Sequence, residues 1–486
     1  MPSVARNTLY LTSAYVGQKI LSFVYFTLLA RFLGAELIGK YTFALAFTTI
    51  FSIITDLGLT PVLIREVART KEKAQDLLRT VLGIKLMLGG AAYGAVLAAA
   101  YFLGHPPLTI QLIAIAGAVM LFDAFNLTCY GVLRGLQNLR YESVGMVIGQ
   151  GITLVLGGAA IVLHLPIHAF LATLAFGSFW NVIFSARALF RAGISPSVRF
   201  NRASAVNMLR TAIPFGLSGI FVRVYSYIDT VLLQHIRGDI EVGWYSVPYK
   251  ITYAFQFLPL ALSAALYPAL ASAWKTDRDR LRLIFARAFR YSIFLVLPIV
   301  FGIAALAPEI ILTIYGRQFE NSILPLKISI FGLVFMFLYF PVGALLNATD
   351  RQKVNTVFMG FTMVANIVLN IFLIPHFGAV GASIATLFTN AFLWLGTLIV
   401  ALRIIKLPSR IFSGAIKSLI AASAMMVVVL QLKHMMPWPF SIVAGGVVYG
   451  ACLYAFRAIT RDDFSEFVKL FRKPPFSVSR DLSNRG

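Results

Sequence analysis

The chain has 486 residues, of which 59% are hydrophobic and only 13% charged, against a usual charged share of about 25%. No water-soluble core of this length needs so much apolar surface, and a mean hydropathy of +0.82 makes lipid the natural solvent. A formal net charge of +23 would point a soluble protein toward nucleic acid. Here the basic residues lie between apolar runs, so the charge answers to an anionic membrane surface and a nucleic-acid partner is excluded. The two cysteines, Cys129 and Cys452, both lie inside apolar stretches, which excludes a disulfide framework or a cysteine metal site.

A spanning helix needs about 20 mostly apolar residues. Fourteen segments meet that requirement: 9–33, 41–63, 81–103, 109–133, 143–163, 167–189, 211–236, 241–272, 291–314, 323–346, 354–375, 380–402, 413–432 and 438–456. The apolarity is continuous rather than alternating, so the prediction is an all-α polytopic membrane protein with about 14 transmembrane helices, not a barrel. Segment 9–33 is long and carries Gln18 and Lys19, which predicts a retained helix rather than a cleaved signal.

Alternate connections differ sharply in charge. One side holds most of the 42 Lys and Arg residues, including the stretches 65–85, 187–210, 275–290 and the tail from Arg457. The other holds only Arg31, Lys40, Arg237, Arg317, Lys327 and Lys433. By the positive-inside rule both termini are cytoplasmic, in the inner cell membrane. All six histidines fall on the opposite face, and His164 and His168 flank Pro166. They cannot share a helical face, so no metal site is expected.

The chain also repeats itself. Gly34, Gly39 and Tyr41 recur with identical spacing as Gly238, Gly243 and Tyr245, and Gly131 with Arg140 is echoed by Gly343 with Arg351. An even number of helices separates the copies, which predicts two six-helix lobes related as parallel repeats. The expected division is an N-lobe at 1–190, a cytoplasmic linker at 191–210, a C-lobe at 211–402, two further helices at 403–457 and a basic cytoplasmic tail at 458–486. Within the linker, residues 203–209 are expected to lie along the membrane interface as an amphipathic helix.

Charge inside the helices is where function is sought, because a Lys or Arg at the bilayer centre costs at least ~2.5–3.5 kcal/mol. Lys19 lies about 15 Å into the first helix, at the midplane. It shares a stripe with Tyr15, Gln18, Ser22 and Phe26. The seventh helix presents Arg223 and Ser226, with Asp229 beside them, and the eighth presents Ser246, Lys250 and Tyr253. An aqueous, positively biased cavity between the lobes, with Lys19, Arg223 and Lys250 converging on it, is the economical reading. The bland one is helix packing: Arg223 could pair with Asp123, Lys250 could snorkel to the outer surface, and Asp56 could only hydrogen-bond at a lobe edge. Asn366, Asn370, Ser178, Asn181 and Ser185 are expected to hold neighbouring helices together. No Gly-rich phosphate loop and no triad or ligand cluster is present, so no catalysis and no cofactor are expected.

The runs from Asn7 to Gly34, Gly39-Lys40-Tyr41, Asp56-Leu57-Gly58-Leu59 and Ile64-Arg65-Glu66 resemble the start of the polysaccharide-biosynthesis flippases. Tyr227-Ile228-Asp229, Pro308-Glu309, Tyr315-Gly316 and Asn370 through Leu373-Ile374-Pro375 to Gly381-Ala382 are similar to the same family in order and spacing. That family, which includes O-antigen and polysaccharide repeat-unit flippases, sits in the multidrug/oligosaccharidyl-lipid/polysaccharide (MOP) exporter superfamily. The resemblance implies twelve core helices in two lobes and alternating-access transport of a polyprenyl-pyrophosphate-linked oligosaccharide. It also implies roles: Lys19, Arg223, Arg31 and Lys250 for the pyrophosphate; Tyr15, Gln18, Ser22, Ser226 and Tyr253 for polar and aromatic contacts; Asp56, Asp123 or Asp229 for proton or sodium coupling. Partners would be membrane lipids and a glycan polymerase or glycosyltransferases. The alternatives are a cation-coupled drug antiporter of the same superfamily and a non-transporting scaffold for glycan assembly.

Overall fold

The computed structural model describes residues 4–198, 202–405 and 410–458. The expected basic tail from residue 459 lies outside them. All regular structure among the described residues is helical, as an apolar solvent requires: each helix satisfies its own backbone donors and acceptors where no water can. Ten helices are long and apolar enough to cross a membrane.

Two of these ten are doubled back. α1 (Val4–Asp56) is interrupted at Gly34, whose φ of 80° and ψ of 175° leave the helical region. As a straight rod it would be roughly 80 Å long, more than twice the hydrocarbon thickness. Instead Tyr25 and Tyr41 share a hydrogen bond across the bend, so the arms 4–33 and 35–56 lie side by side. α13 (Gln352–Leu402) turns in the same way at Gly378. There Phe358 packs against Gly396, and Asn370 and Thr386 from opposite arms bond one carboxylate.

The second helix ends at Asp56, not near residue 63. Leu57 and Gly58 have positive φ, and a separate amphipathic α2 (Leu59–Arg69) follows. α3 (Ala74–Phe102), α4 (Pro107–Gly135), α5 (Arg140–Val162) and α6 (Ile167–Arg191) complete the N-terminal half. α7 (Arg202–Arg237) absorbs residues 203–209, so they form the first turns of a long helix rather than an interfacial one. The reason is packing: Ala205, Met208 and Ala212 are buried with Leu63, Leu78 and Leu133 of the N-terminal half. The predicted span 241–272 divides at Phe255 and Gln256 into α8 (Asp239–Ala254) and α9 (Phe257–Thr276). α10 (Arg278–Ala305) starts within the basic stretch, where Asp277 caps the backbone N–H groups of Asp279 and Arg280. A short α11 (Ala307–Ile310), α12 (Ile323–Ala348) and α13 follow. α14 (Arg410–Leu432) and α15 (Trp438–Ala455) pack on each other and on α10. The ten helices thus do not restate the expected fourteen: two contain two arms each, while α7 and the α8–α9 pair fall outside the set.

The repeated glycines meet one another. A Cβ on Gly39 would stand 1.8 Å from the carbonyl oxygen of Asp239, and one on Gly243 would stand 1.9 Å from that of Ala35. Each glycine touches the residue that opens the other copy's helix, the reciprocal pattern of a two-fold axis. α1 and α8 can therefore approach backbone to backbone, sealed by an aromatic cluster that includes Tyr25, Phe43, Tyr245, Tyr315 and Phe319. Lys40 pairs with Glu36 and, at 3.3 Å, with Asp239. At the other end Gly216 of α7 lies against the Leu57 backbone.

Alanine at both Gly39 and Gly243 should force this end open. Spin labels at positions 36 and 240 should move apart by several ångströms in the double variant; an unchanged label distance would contradict the reciprocal-glycine contact.

Candidate functional site

Three neighbouring cavities line the meeting of the two halves. The first, about 330 Å³, is shared by Lys19, Ser22 and Phe26 of α1, Gln150 of α5, and Lys250 and Tyr253 of α8. Lys250 Nζ donates to Ser22 Oγ at 3.0 Å and sits 5.3 Å from the Phe26 ring centre. Lys250 therefore turns inward across the interface rather than snorkelling. Lys19 Nζ lies 5.1 Å from the Tyr253 ring centre, a cation–π contact. Neither ammonium belongs to any ion pair found among the described residues. Two positive groups that repel each other thus face one space, whose lining also includes Gln150, Thr49, Thr230 and Ser246.

The second cavity, about 230 Å³, holds Arg223 with Asp56, Asp123 and the hydroxyls of Thr48, Ser52 and Thr55. Arg223 does not converge with the two lysines as expected; it occupies this adjoining space, where it forms no ion pair within 4 Å among the described residues. Asp123 accepts from Ser178 Oγ at 2.8 Å. Asp56 is committed elsewhere: it pairs with Lys85 Nζ at 2.6 Å and accepts from the Thr60 hydroxyl. Lys85, 1% exposed, also donates to Thr60 Oγ1 at 2.9 Å and to the Ala124 carbonyl at 3.3 Å. Sequence reasoning counted Lys85 with the basic stretch 65–85 and missed it, because its partners Asp56, Thr60 and Ala124 lie on other helices. The signal available was its position on the face of a helix beside an intramembrane Asp.

The third and largest cavity, about 500 Å³, lies in the C-terminal half between α7, α8, α12 and α13. It contains Ser226 and Asp229, and it shares Tyr249 and Tyr253 with the lysine cavity. Asp229 is buried and takes three neutral donors: Asn370 Nδ2 at 2.8 Å, Tyr245 OH at 2.9 Å and Thr386 Oγ1 at 2.7 Å. The side-chain oxygens of Asn366 and Asn370 are buried without a partner. Carboxylate, amide and hydroxyl oxygens gathered in this way suit a proton or a hard monovalent cation.

Three expected residues stand apart. Arg31 is on the outside of the closed end, donating to the Thr313 carbonyl at 3.2 Å, and lines none of the three cavities. Tyr15 accepts from Arg134 at 3.4 Å; Arg134 is itself bound to Glu142, with Nε donating to Oε2 at 2.7 Å. Tyr15 and Gln18 both lie outside the three linings, because the helical stripe rotates away from α8 toward its own N-terminus. The helix-bridging polar residues do what their positions suggest: Asn181 accepts from Tyr130, and Ser185 donates to Asn126 at 3.4 Å.

The sequence pattern of polysaccharide biosynthesis proteins matches residues 4–274, more than half of the chain. The chain belongs to that family. A second pattern, MatE, matches residues 214–372. Among curated relatives, a probable flippase AglR of Haloferax volcanii is 28% identical over 58% of this chain and 60% of its own length. A putative O-antigen transporter of Shigella flexneri is 21% identical over 79% of this chain and 94% of its own. The fold is that of solved MOP exporters. The lipid II flippase MurJ in an inward closed conformation superposes with a TM-score of 0.75 at 16% identity, covering 95% of this chain and all of that one. An inward-facing MATE multidrug transporter gives 0.68 at 18% identity, over 80% and 94%. The protein is thus a multi-pass membrane protein of the MOP superfamily.

Lys85→Ala should cost ~3–5 kcal/mol, the usual consequence of stripping one partner from a buried ion pair. Thermal unfolding in detergent measures it, and the double variant Lys85→Met, Asp56→Asn should recover much of the loss.

Proposed function

We propose that this protein is a flippase that carries a polyprenyl-pyrophosphate-linked oligosaccharide from the cytoplasmic to the outer leaflet by alternating access. One observation carries the reading: Lys19 and Lys250 face a shared cavity between the halves, and neither belongs to an ion pair among the described residues. Two cations held in a low-dielectric surround attract a dianionic headgroup strongly and repel a cationic drug. Arg223, one cavity away, offers a bidentate fork suited to phosphate oxygens. The prenyl chain need not enter the protein, since the seam between the halves borders the bilayer. The flippase and O-antigen-transporter names of the relatives support the same substrate class. On this reading both termini face the cytoplasm, and glycan polymerases or glycosyltransferases are the expected neighbours in the membrane.

The oxygen-rich pocket at Asp229 supports coupling to a proton or sodium gradient. Its carboxylate belongs to no ion pair among the described residues, and the amide oxygens of Asn366 and Asn370 are without a partner. Because Tyr245 of the same helix as Lys250 holds Asp229, loading that pocket and moving the substrate cations act on one element, α8.

Combining Lys19→Ala with Arg223→Ala should reduce surface glycan by at least about tenfold while the protein still inserts at normal levels. Normal glycan in that double variant would remove the cationic-cavity reading and leave the scaffold alternative. Asp229→Asn should abolish gradient-driven accumulation in reconstituted vesicles but spare exchange of substrate between leaflets. A variant that still accumulates substrate in response to a gradient would place coupling elsewhere.

A further inference from the structure

The 500 Å³ cavity of the C-terminal half differs in chemistry from the other two. Among its described lining residues the only charged side chain is Asp229, and Lys and Arg are absent. Its walls carry side-chain amides, among them Gln256, Asn355 and Asn390, and a bank of tyrosines. Tyr245, Tyr249 and Tyr253 follow at successive turns of α8, with the last two rings stacked at 5.2 Å and 18°. Tyr225 OH donates to Asn390 Oδ1 at 3.0 Å, leaving the Asn390 amide protons for another acceptor. Asn355 Oδ1 and Thr252 Oγ1 are buried without hydrogen-bond partners.

A prenyl tail is the wrong occupant, because hydrocarbon would leave the amides and hydroxyls unpaired at a cost. A second phosphate is wrong as well, since the cavity offers no cation and one carboxylate. Sugars fit: their C–H faces lie on tyrosine rings, and their hydroxyl and acetamido groups exchange hydrogen bonds with amides. Tyr253 forms part of both walls, with Lys19 against its ring and the amide-lined cavity adjoining it. A diphosphate beside Lys19 would therefore have its first sugars next to the C-terminal cavity.

Resting on the flippase reading above, we propose that this cavity is a glycan subsite that selects uncharged sugars adjacent to the diphosphate. Asp229 at its wall and the lack of any base set it against uronic acids and other anionic sugars at those positions. The selection is built from the seventh, eighth, twelfth and thirteenth helices and is separate from the lysines that hold the diphosphate.

The test is binding to the full-length protein in nanodiscs, with three short-chain probes: citronellyl diphosphate, the same carrying a neutral N-acetylated disaccharide, and the same with glucuronic acid as its first sugar. The neutral glycan should bind at least about tenfold tighter than the bare diphosphate, and the acidic one no tighter than the bare diphosphate. Tyr339→Ala and Asn390→Ala should erase the glycan advantage while leaving bare diphosphate binding intact, whereas Lys19→Ala should weaken all three probes. Thr356→Lys, a change on the cavity wall outside the helix core, should raise affinity for the acidic glycan and so remains informative if an alanine variant misfolds. Equal binding of neutral and acidic glycans, or a glycan advantage untouched by the cavity variants, overturns the subsite while the lysine dependence keeps the flippase reading. Loss of all diphosphate binding in the unmodified protein would overturn both.

Discussion

Everything in this molecule follows from placing charge inside an apolar slab. A cation at mid-depth must have a carboxylate, a ring face or a polar cavity beside it, and the chain uses all three for different cations. Lys85 takes a carboxylate and two oxygens and becomes a structural pin between α1, α2 and α4. Lys19 and Lys250 take aromatic faces and a serine, which leaves most of their charge unanswered. The difference in partners separates the ion pair that holds the fold from the cations that are available to a substrate.

That availability depends on how the halves meet. Lys250 is on α8 and Ser22 on α1, so the shared cavity exists only because these helices cross at close range. They do so because Gly39 and Gly243 have no side chain and each accepts the other copy's backbone. The same contact shuts one end of the central space. The contact that shuts this end and the one that links Lys250 to Ser22 thus lie along the same pair of helices.

Tyrosines divide the interior by chemistry. Along α8, Tyr245 reaches the Asp229 carboxylate, Tyr249 and Tyr253 form the wall common to two cavities, and Tyr253 meets Lys19. One helix therefore touches the Asp229 carboxylate, the amide-lined cavity and both lysines. Its break from α9 at Phe255 and Gln256 provides a joint about which α8 can tilt without dragging its neighbour.

The linear chain was enough to establish a helical membrane protein, its paired glycines and the family to which it belongs. These depend on apolar run length, spacing and local motif, all of which are short-range properties. It also singled out Asp229, Asn370 and Ser22, though not that they would meet Thr386, Tyr245 or Lys250. Where helices begin was less legible: α3, α7 and α10 extend into basic stretches, because their polar first turns find protein partners rather than lipid. That extension set Ala205 and Met208 of α7 against the N-terminal half. Only tertiary packing decided which charges pair, since Lys85 with Asp56 and Arg223 beside Asp123 join residues far apart in the chain. The physical reason is rotation about each helix axis: the sequence sets which residues share a stripe, and the neighbouring helices set where that stripe points.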